Sequence, residues 1–260
     1  MTGNGNDRNH HLRMPTEFLA GCSDVGSSRH FNQDAFSLAA KPGGHALAAV
    51  SDGVSTAADS ELASLVAVDA AREVLVHKTD QGFDANAALN VAFEVAQAAV
   101  IRAAGEAPPS ACTLIACVVT PDRIVVGNVG DSRAYWLGDD GTNVLLSTDD
   151  SMAEARVQLG MTRAEAEASA QAHTITRWQG REALDVTPTI CSHEPTGPGW
   201  FVMCTDGLWN YASPPEELGA VVRGLAASQP SPAGLAEALV AWAKGQGGHD
   251  NITVVVARRP

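Results

Sequence analysis

The sequence predicts an α+β fold, and three observations carry that prediction. Apolar and β-branched runs come in consecutive groups, amphipathic helices come in pairs between the groups, and no strand–helix–strand alternation runs along the chain. Residues 17–22, 35–38 and 46–50 read as strands separated by Gly, Ser and Pro clusters. Residues 58–77 and 84–104 are alanine-rich, with apolar side chains recurring at three and four, as in Leu62, Leu65, Val66 and then Leu89, Phe93, Ala96, Val100. That spacing is helical, and Gly105 with Pro108-Pro109 ends the second helix. Residues 113–120, 123–129, 134–137 and 144–146 form an antiparallel meander, with turns at Pro121-Asp122 and Asp140-Gly141. Residues 150–171 read as helical with a break at Gly160. Strands follow at 187–192 and 200–204, helices at 214–226 and 232–244, and a last strand at 252–257. That final strand needs an earlier partner, so the chain closes on itself as one domain over residues 16–260.

Composition narrows the function classes. The 260 residues are 45% hydrophobic and 18% charged, which excludes disorder for the bulk of the chain. Thirty acidic against 17 basic residues give a net charge of −13, so a nucleic-acid partner is not expected. The acid excess has two readings: a solvated surface, or carboxylates converging on a hard cation. Cys22, Cys112, Cys117, Cys191 and Cys204 form no Cys-x-x-Cys pair, which fits reduced thiols in the cytoplasm rather than a zinc site or a disulfide framework. No run of 18 apolar residues and no signal-peptide core is present, so neither a membrane span nor export is expected. Residues 1–15 show no apolar period and read as a disordered leader; His10-His11 within them is read as part of that tail rather than as a metal site.

The aspartates concentrate where strands stop. Asp52 ends an apolar run and precedes Gly53; Asp131 follows Val129-Gly130; Asp206 follows the run 201–205 and precedes Gly207; Asp250 lies between Gly247-Gly248-His249 and the last strand. Alone, each reads as a turn residue. Together, four acids at strand ends can surround one or two Mg²⁺ or Mn²⁺ ions, which take oxygen ligands and keep several waters. Arg29, five residues before Asp34, is either a surface arginine or a fork for phosphate oxygens.

Six stretches occur together in order: Arg29-His30-Phe31-Asn32-Gln33-Asp34-Ala35-Phe36, Val50-Ser51-Asp52-Gly53, Gly130-Asp131-Ser132-Arg133-Ala134-Tyr135, Leu146-Ser147-Thr148-Asp149-Asp150-Ser151, Cys204-Thr205-Asp206-Gly207-Leu208-Trp209 and Asp250-Asn251-Ile252-Thr253-Val254. On these the chain resembles the metal-dependent type 2C (PPM) protein serine/threonine phosphatases of the compact bacterial type. The resemblance implies a four-layer α-β-β-α sandwich of two antiparallel sheets flanked by helix pairs, with a helical flap at about residues 150–180. It implies two Mn²⁺ or Mg²⁺ ions bridged by Asp52, with the Gly53 carbonyl, Asp206 and Asp250 completing the protein ligands and Asp131 helping to hold a third, weaker ion. By the same resemblance Asp34 holds water at the metals, Arg29 grips the substrate phosphate, and Asn251 orients Asp250 or a loop. The implied reaction is attack of metal-activated water on phosphoserine or phosphothreonine in proteins. The implied partners are phosphoproteins and a cognate Ser/Thr kinase or its targets, and the expected working unit is a monomer.

Some residues depart from the pattern. Val54-Ser55-Thr56 replaces the usual small residues after Asp52-Gly53, and Val54 cannot protonate a leaving group as a histidine there can. Ala111-Cys112-Thr113 stands for Gly-Thr-Thr, and Thr205 for Ser. His173 is either a ligand of the third metal or a surface imidazole of the flap. The competing readings are a catalytically silent binding or sensing module, favoured only if the Val54-Ser55-Thr56 turn closes the site, and an acidic metal binder without catalysis, which leaves Arg29 unexplained.

Overall fold

The computed structural model describes residues 8–260. In chain order the elements are β1 (His10–Thr16), β2 (Leu19–Asp24), β3 (Ala35–Lys41), β4 (His45–Ser51), α1 (Ser60–Asp80), α2 (Ala85–Ala104), β5 (Ala111–Cys112), β6 (Leu114–Val119), β7 (Ile124–Val129), β8 (Arg133–Gly138) and β9 (Asn143–Leu145). They continue with α3 (Met152–Gln158), α4 (Arg163–Glu167), β10 (Gln179–Gly180), β11 (Thr189–His193), β12 (Gly199–Cys204), α5 (Asp206–Trp209), α6 (Pro215–Ala226), α7 (Pro232–Gly245) and β13 (Ile252–Arg259).

Strand alternation builds the layers. One sheet runs β1-β2-β13-β12-β8-β9 and the other β11-β7-β6-β4-β3, and every pairing is antiparallel. Along β4, Ala46, Ala48 and Val50 face the space between the sheets, where they meet Phe36, Ile115, Phe201, Met203 and Val255. The alternate residues Leu47 and Ala49 face α1 and α2, against Val68, Leu75, Leu89 and Phe93. On the other sheet, Val202, Cys204, Ile252 and Val254 face α6 and α7, against Leu218, Leu235 and Leu239. Three apolar interfaces between four layers follow directly from this period of two, and the expected sandwich is the observed one.

The structure differs from expectation at several places. Of the expected leader, residues 1–7 lie outside the described residues, but His10–Thr16 form β1 along the free edge of β2. The segment carries no apolar period because it is an exposed edge strand, where the missing N–H of Pro15 is tolerated; the register shifts between Arg13 and Thr16. Backbone pairing and a hydrogen bond between His10 Nδ1 and Asp24 Oδ2 (2.9 Å) hold it, so the histidine has a partner that is not a metal. The single helix expected at 150–171 is two short ones. Gly160 at φ +100° breaks the first, and Thr162 with Glu165 forms a reciprocal cap that starts the second. The two-residue strands β5 and β10 and the single turn of α5 are too short to leave a period in the sequence. By length and composition alone, Ala85–Ala104 could cross a membrane. Here its apolar face, with Leu89, Phe93, Ala96 and Val100, packs on the sheet beneath α1 and α2.

Phe93 is fully buried in that layer. Phe93→Ala is expected to cost about 3–5 kcal/mol of stability, read by urea denaturation followed by circular dichroism; a loss under about 1 kcal/mol contradicts the packing described.

Candidate metal centre

Antiparallel register gathers the acids. Ala35 pairs with Ser51, so Asp34 and Asp52 lie one residue beyond the same end of the β3–β4 hairpin. In the facing sheet Cys204 pairs with both Arg133 and Val254. That puts Asp131, Asp206 and Asp250 just outside the corresponding ends of β8, β12 and β13. The five carboxyls therefore share one end of the sandwich.

Their electrostatics record the crowding. Burial pushes the Asp52 carboxyl well above the ordinary range, and the charges of Asp34, Asp206, Asp131 and Asp250 push it further. Asp34 is raised to about 7 by burial and by Asp206 and Asp250, against the hydrogen bonds of Thr205 and Thr253. Asp206 is raised to about 6 by burial and then by Asp250, opposed by His173 and by hydrogen bonds from Asp52 and Asn210. Burial, Asp206 and Asp149 raise Asp131 well above the usual range. The buried oxygens Asp34 Oδ1 and Asp206 Oδ1 have no hydrogen-bond partner. Oxygen-only donors, mutual repulsion and orphaned carboxylate oxygens together fit hard divalent cations. Among the described residues no three His, Cys, Asp or Glu side chains close around one point to hold an ion unaided. That spacing is compatible with Mg²⁺-like ions, which take one or two carboxylates and keep several waters.

Each acid is fixed by neighbours the sequence places nearby. The Asp52 N–H donates to Thr113 Oγ1 (2.9 Å), its carbonyl accepts from the Thr113 N–H (2.8 Å), and Thr113 Oγ1 also meets Ser132 Oγ (3.0 Å). The departure at Ala111-Cys112 leaves this threonine intact. Gly53 is packed so closely that a Cβ there would come within 2.6 Å of the Ser60 carbonyl oxygen and 2.8 Å of that of Gln33. Asp34 Oδ2 accepts from Thr205 Oγ1 (2.8 Å), so the Ser-to-Thr change keeps the needed hydroxyl. Asn251 stitches the Arg29 loop to β13: its Oδ1 accepts from the Gln33 N–H (2.8 Å), while its Nδ2 donates to the carbonyls of Val25 (2.9 Å) and Phe31 (3.0 Å). Arg29 Nη2 donates to Asp250 Oδ2 at 2.6 Å, so the arginine stands inside the acidic cluster. His173 is exposed, with its ring 6.0 Å from that of Trp209 and its charge felt at Asp206.

Sequence reasoning missed the residue that braces the centre. Arg133 is 99% buried; its Nε and Nη2 fork onto Asp149, Nη1 donates to the Ser213 hydroxyl and carbonyl, and Nη2 also reaches Glu167 of α4. The guanidinium lies 3.7 Å over the Trp209 ring, whose Nε1 donates to the Asp131 carbonyl (3.0 Å). An arginine inside an otherwise apolar strand end, with an aspartate 16 residues on, was the available signal. At the opposite end of the sandwich a cavity of about 450 Å³ opens beside Phe18, Trp136 and Phe201, away from all five acids.

Comparison with known proteins agrees with this architecture. The family model for protein phosphatase 2C matches residues 26–243. The serine/threonine protein phosphatase PstP of Mycobacterium tuberculosis is 31% identical over 245 residues, which cover 92% of this chain and 44% of PstP. The chain thus spans less than half the length of that curated relative. The serine/threonine phosphatase Stp of Listeria welshimeri is 26% identical over 245 residues, covering 91% of this chain and 94% of its own. A solved structure of the PstP catalytic domain in complex with two manganese ions has a TM-score of 0.71 at 28% identity, covering 95% of this chain and 97% of that one.

The raised carboxyls dictate a pH dependence. Folded, they hold protons that the unfolded chain releases near the ordinary aspartate value of 3.8, so between about pH 4 and 7 the folded state binds more protons. Metal-free protein is therefore expected to lose stability as pH rises through that window. Its melting temperature in EDTA should fall between about pH 5.5 and 7.5, and Mn²⁺ at the upper pH should restore it. A melting temperature that rises over that window without metal contradicts the repulsion.

Proposed function

The chain belongs to the protein phosphatase 2C family, and from that premise we propose that it hydrolyses phosphoserine and phosphothreonine in proteins with the aid of divalent metal. The observation that carries the proposal is the convergence of Asp52, Asp206 and Asp250 at one end of the sandwich, with Asp206 Oδ1 and Asp34 Oδ1 left without partners. Mn²⁺ is the proposed ion, by analogy with the manganese complex of the PstP catalytic domain; Mg²⁺ serves by the same donor chemistry. When bound, two such ions lower the pKa of water and offset phosphoryl charge.

In this reading Asp52, the Gly53 carbonyl, Asp206 and Asp250 would supply the protein donors to the ions. Asp131 would help to hold a weaker third ion, and His173 lies near enough to act on Asp206. Asp34, held by Thr205, orients water through its free Oδ1. Arg29 binds two phosphoryl oxygens through its planar fork, which places phosphorus against the attacking water. Val54 offers no proton, so the leaving serine or threonine oxygen takes its proton from water. A cysteine phosphoenzyme has no support: burial pushes the thiols of Cys22, Cys112 and Cys117 up to about 12 and raises Cys204 as well.

The proposed catalytic domain is residues 16–260 acting as a monomer, with β1 added at its edge. The flap, α3 and α4 with the connections to residue 180, is proposed to contact the substrate protein: Leu159 at its tip is 89% exposed and Met161 is exposed beside it. The proposed substrates are phosphoproteins made by a Ser/Thr kinase, in the cytoplasm, which the five unpaired cysteines support.

Mn²⁺-dependent hydrolysis of p-nitrophenyl phosphate tests the activity. Wild type should turn over, and Asp206→Asn should lose at least ~100-fold in kcat/KM; an inert wild type with metal bound contradicts the enzyme reading in favour of a silent binding module. Leu159→Asp should raise KM for a phosphoprotein about fivefold or more while changing p-nitrophenyl phosphate hydrolysis less than twofold. Equal effects on both substrates, read by steady-state kinetics, contradict a docking role for the flap tip.

A further inference from the structure

Asp250 has both carboxylate oxygens engaged. Oδ1 accepts from the backbone N–H of Asn251 (2.8 Å), and Oδ2 accepts from Arg29 Nη2 (2.6 Å). The first partner is the main-chain N–H of the next residue, held in place by the backbone leading into β13. The second is the tip of a flexible side chain, about a third exposed, as is its partner. The other arm of the same guanidinium, Nη1, lies 3.4 Å from Ser55 Oγ, in the Val54-Ser55-Thr56 turn that departs from the family pattern. Elsewhere in the cluster Arg8 donates to the Asp34 backbone carbonyl and Arg133 is engaged by Asp149, while the carboxylate oxygens Asp34 Oδ1 and Asp206 Oδ1 have no hydrogen-bond partner.

From this we propose that Arg29 is an internal counter-ion docked on Asp250 and Ser55, which a divalent cation must displace, so that metal loading is the event that frees Arg29 to take phosphate. The inference rests on the proposed role of Asp250 as a metal ligand. Its physical basis is repulsion. A guanidinium and a divalent ion on the same carboxylate oxygen are like charges a few ångströms apart in a partly desolvated site, so Oδ2 serves one or the other. The metal-free centre thereby keeps part of its negative charge neutralised and its phosphate fork occupied. Once the cation holds Asp250, the fork is released within reach of the centre. Thermodynamic linkage makes the effect mutual: a phosphate that draws Arg29 off Asp250 removes a competitor of the metal. Ser55 gives the altered turn a role, since its hydroxyl steadies the docked arginine.

The test is Mn²⁺ titration by isothermal calorimetry, without substrate, on wild type, Arg29→Gln, Asp250→Asn and the double variant, each first checked for a wild-type thermal transition in EDTA. Removing the competitor should tighten Mn²⁺ binding about two- to fivefold in Arg29→Gln, the range expected for a partly exposed ion pair. Asp250→Asn should bind more weakly than wild type, and adding Arg29→Gln to it should change nothing further. Equal or weaker Mn²⁺ binding by Arg29→Gln overturns the proposal. So does a gain that persists in the Asp250→Asn background, which marks a general field effect rather than docking. Unchanged binding by Asp250→Asn overturns instead the assignment of Asp250 as a ligand, and the competition falls with it. Should Asp250→Asn lose its transition, Asp250→Glu replaces it in the cycle: the longer carboxylate should keep Mn²⁺ binding and the gain from Arg29→Gln, and absence of that gain overturns the proposal.

Discussion

Five carboxyl groups are forced together at one end of the sandwich, and the mutual repulsion of Asp34, Asp52, Asp131, Asp206 and Asp250 is the constraint around which the surrounding structure is arranged. Nothing in the apolar layers asks for such a cluster. It exists because three strand-end registers bring the segments that carry the acids to the same end of the sandwich. A cluster of this kind is costly to the folded protein, and in the proposed role as a cation centre that cost would become affinity for the ions. The sheets, each packed on the other by one face and on a helix pair by the other, supply the stability that offsets it.

Rigidity is delivered by side chains one layer behind the acids. Thr113 is bonded to both backbone groups of Asp52, Thr205 holds Asp34, and Asn251 ties the Arg29 loop to β13. Arg133 does the same work over a longer range. Its guanidinium joins β8 to Asp149, to Ser213 beyond α5 and to Glu167 of the flap, while stacking on the tryptophan that grips the Asp131 backbone. A single buried, fully bonded cation thus links the flap to the floor of the site. It also places a positive charge near the acids without occupying the unpartnered oxygens Asp34 Oδ1 and Asp206 Oδ1.

Much of this was legible in the sequence, for physical reasons that can be named. The long helices and the buried strands announce themselves through periods of 3.6 and 2, because each must bury a face. The strand-end aspartates stand out only together: each alone is an ordinary turn residue, and their recurrence at four strand ends is the signal. The missed features lack that kind of signal. β1 is an exposed edge, so its residues answer to solvent and to the backbone of β2 rather than to a core. The strands β5 and β10 are two residues long and owe their pairing to tertiary placement. Arg133 was visible within Gly130-Asp131-Ser132-Arg133, but only the fold shows that its partners are Asp149, Glu167 and Ser213, which come from three separate segments. The same holds for Arg29: its residue type points to phosphate, whereas its contact with Asp250 is a fact of three-dimensional placement.

The central claim is that the strand-end acids are a cation centre. The most direct measurement is anomalous X-ray diffraction at the manganese edge from crystals of this chain equilibrated with Mn²⁺. The account predicts two strong anomalous peaks between Asp52, Asp206 and Asp250, with the Gly53 carbonyl among the contacts. No peak at that end of the sandwich, or peaks only at surface carboxylates elsewhere, contradicts it.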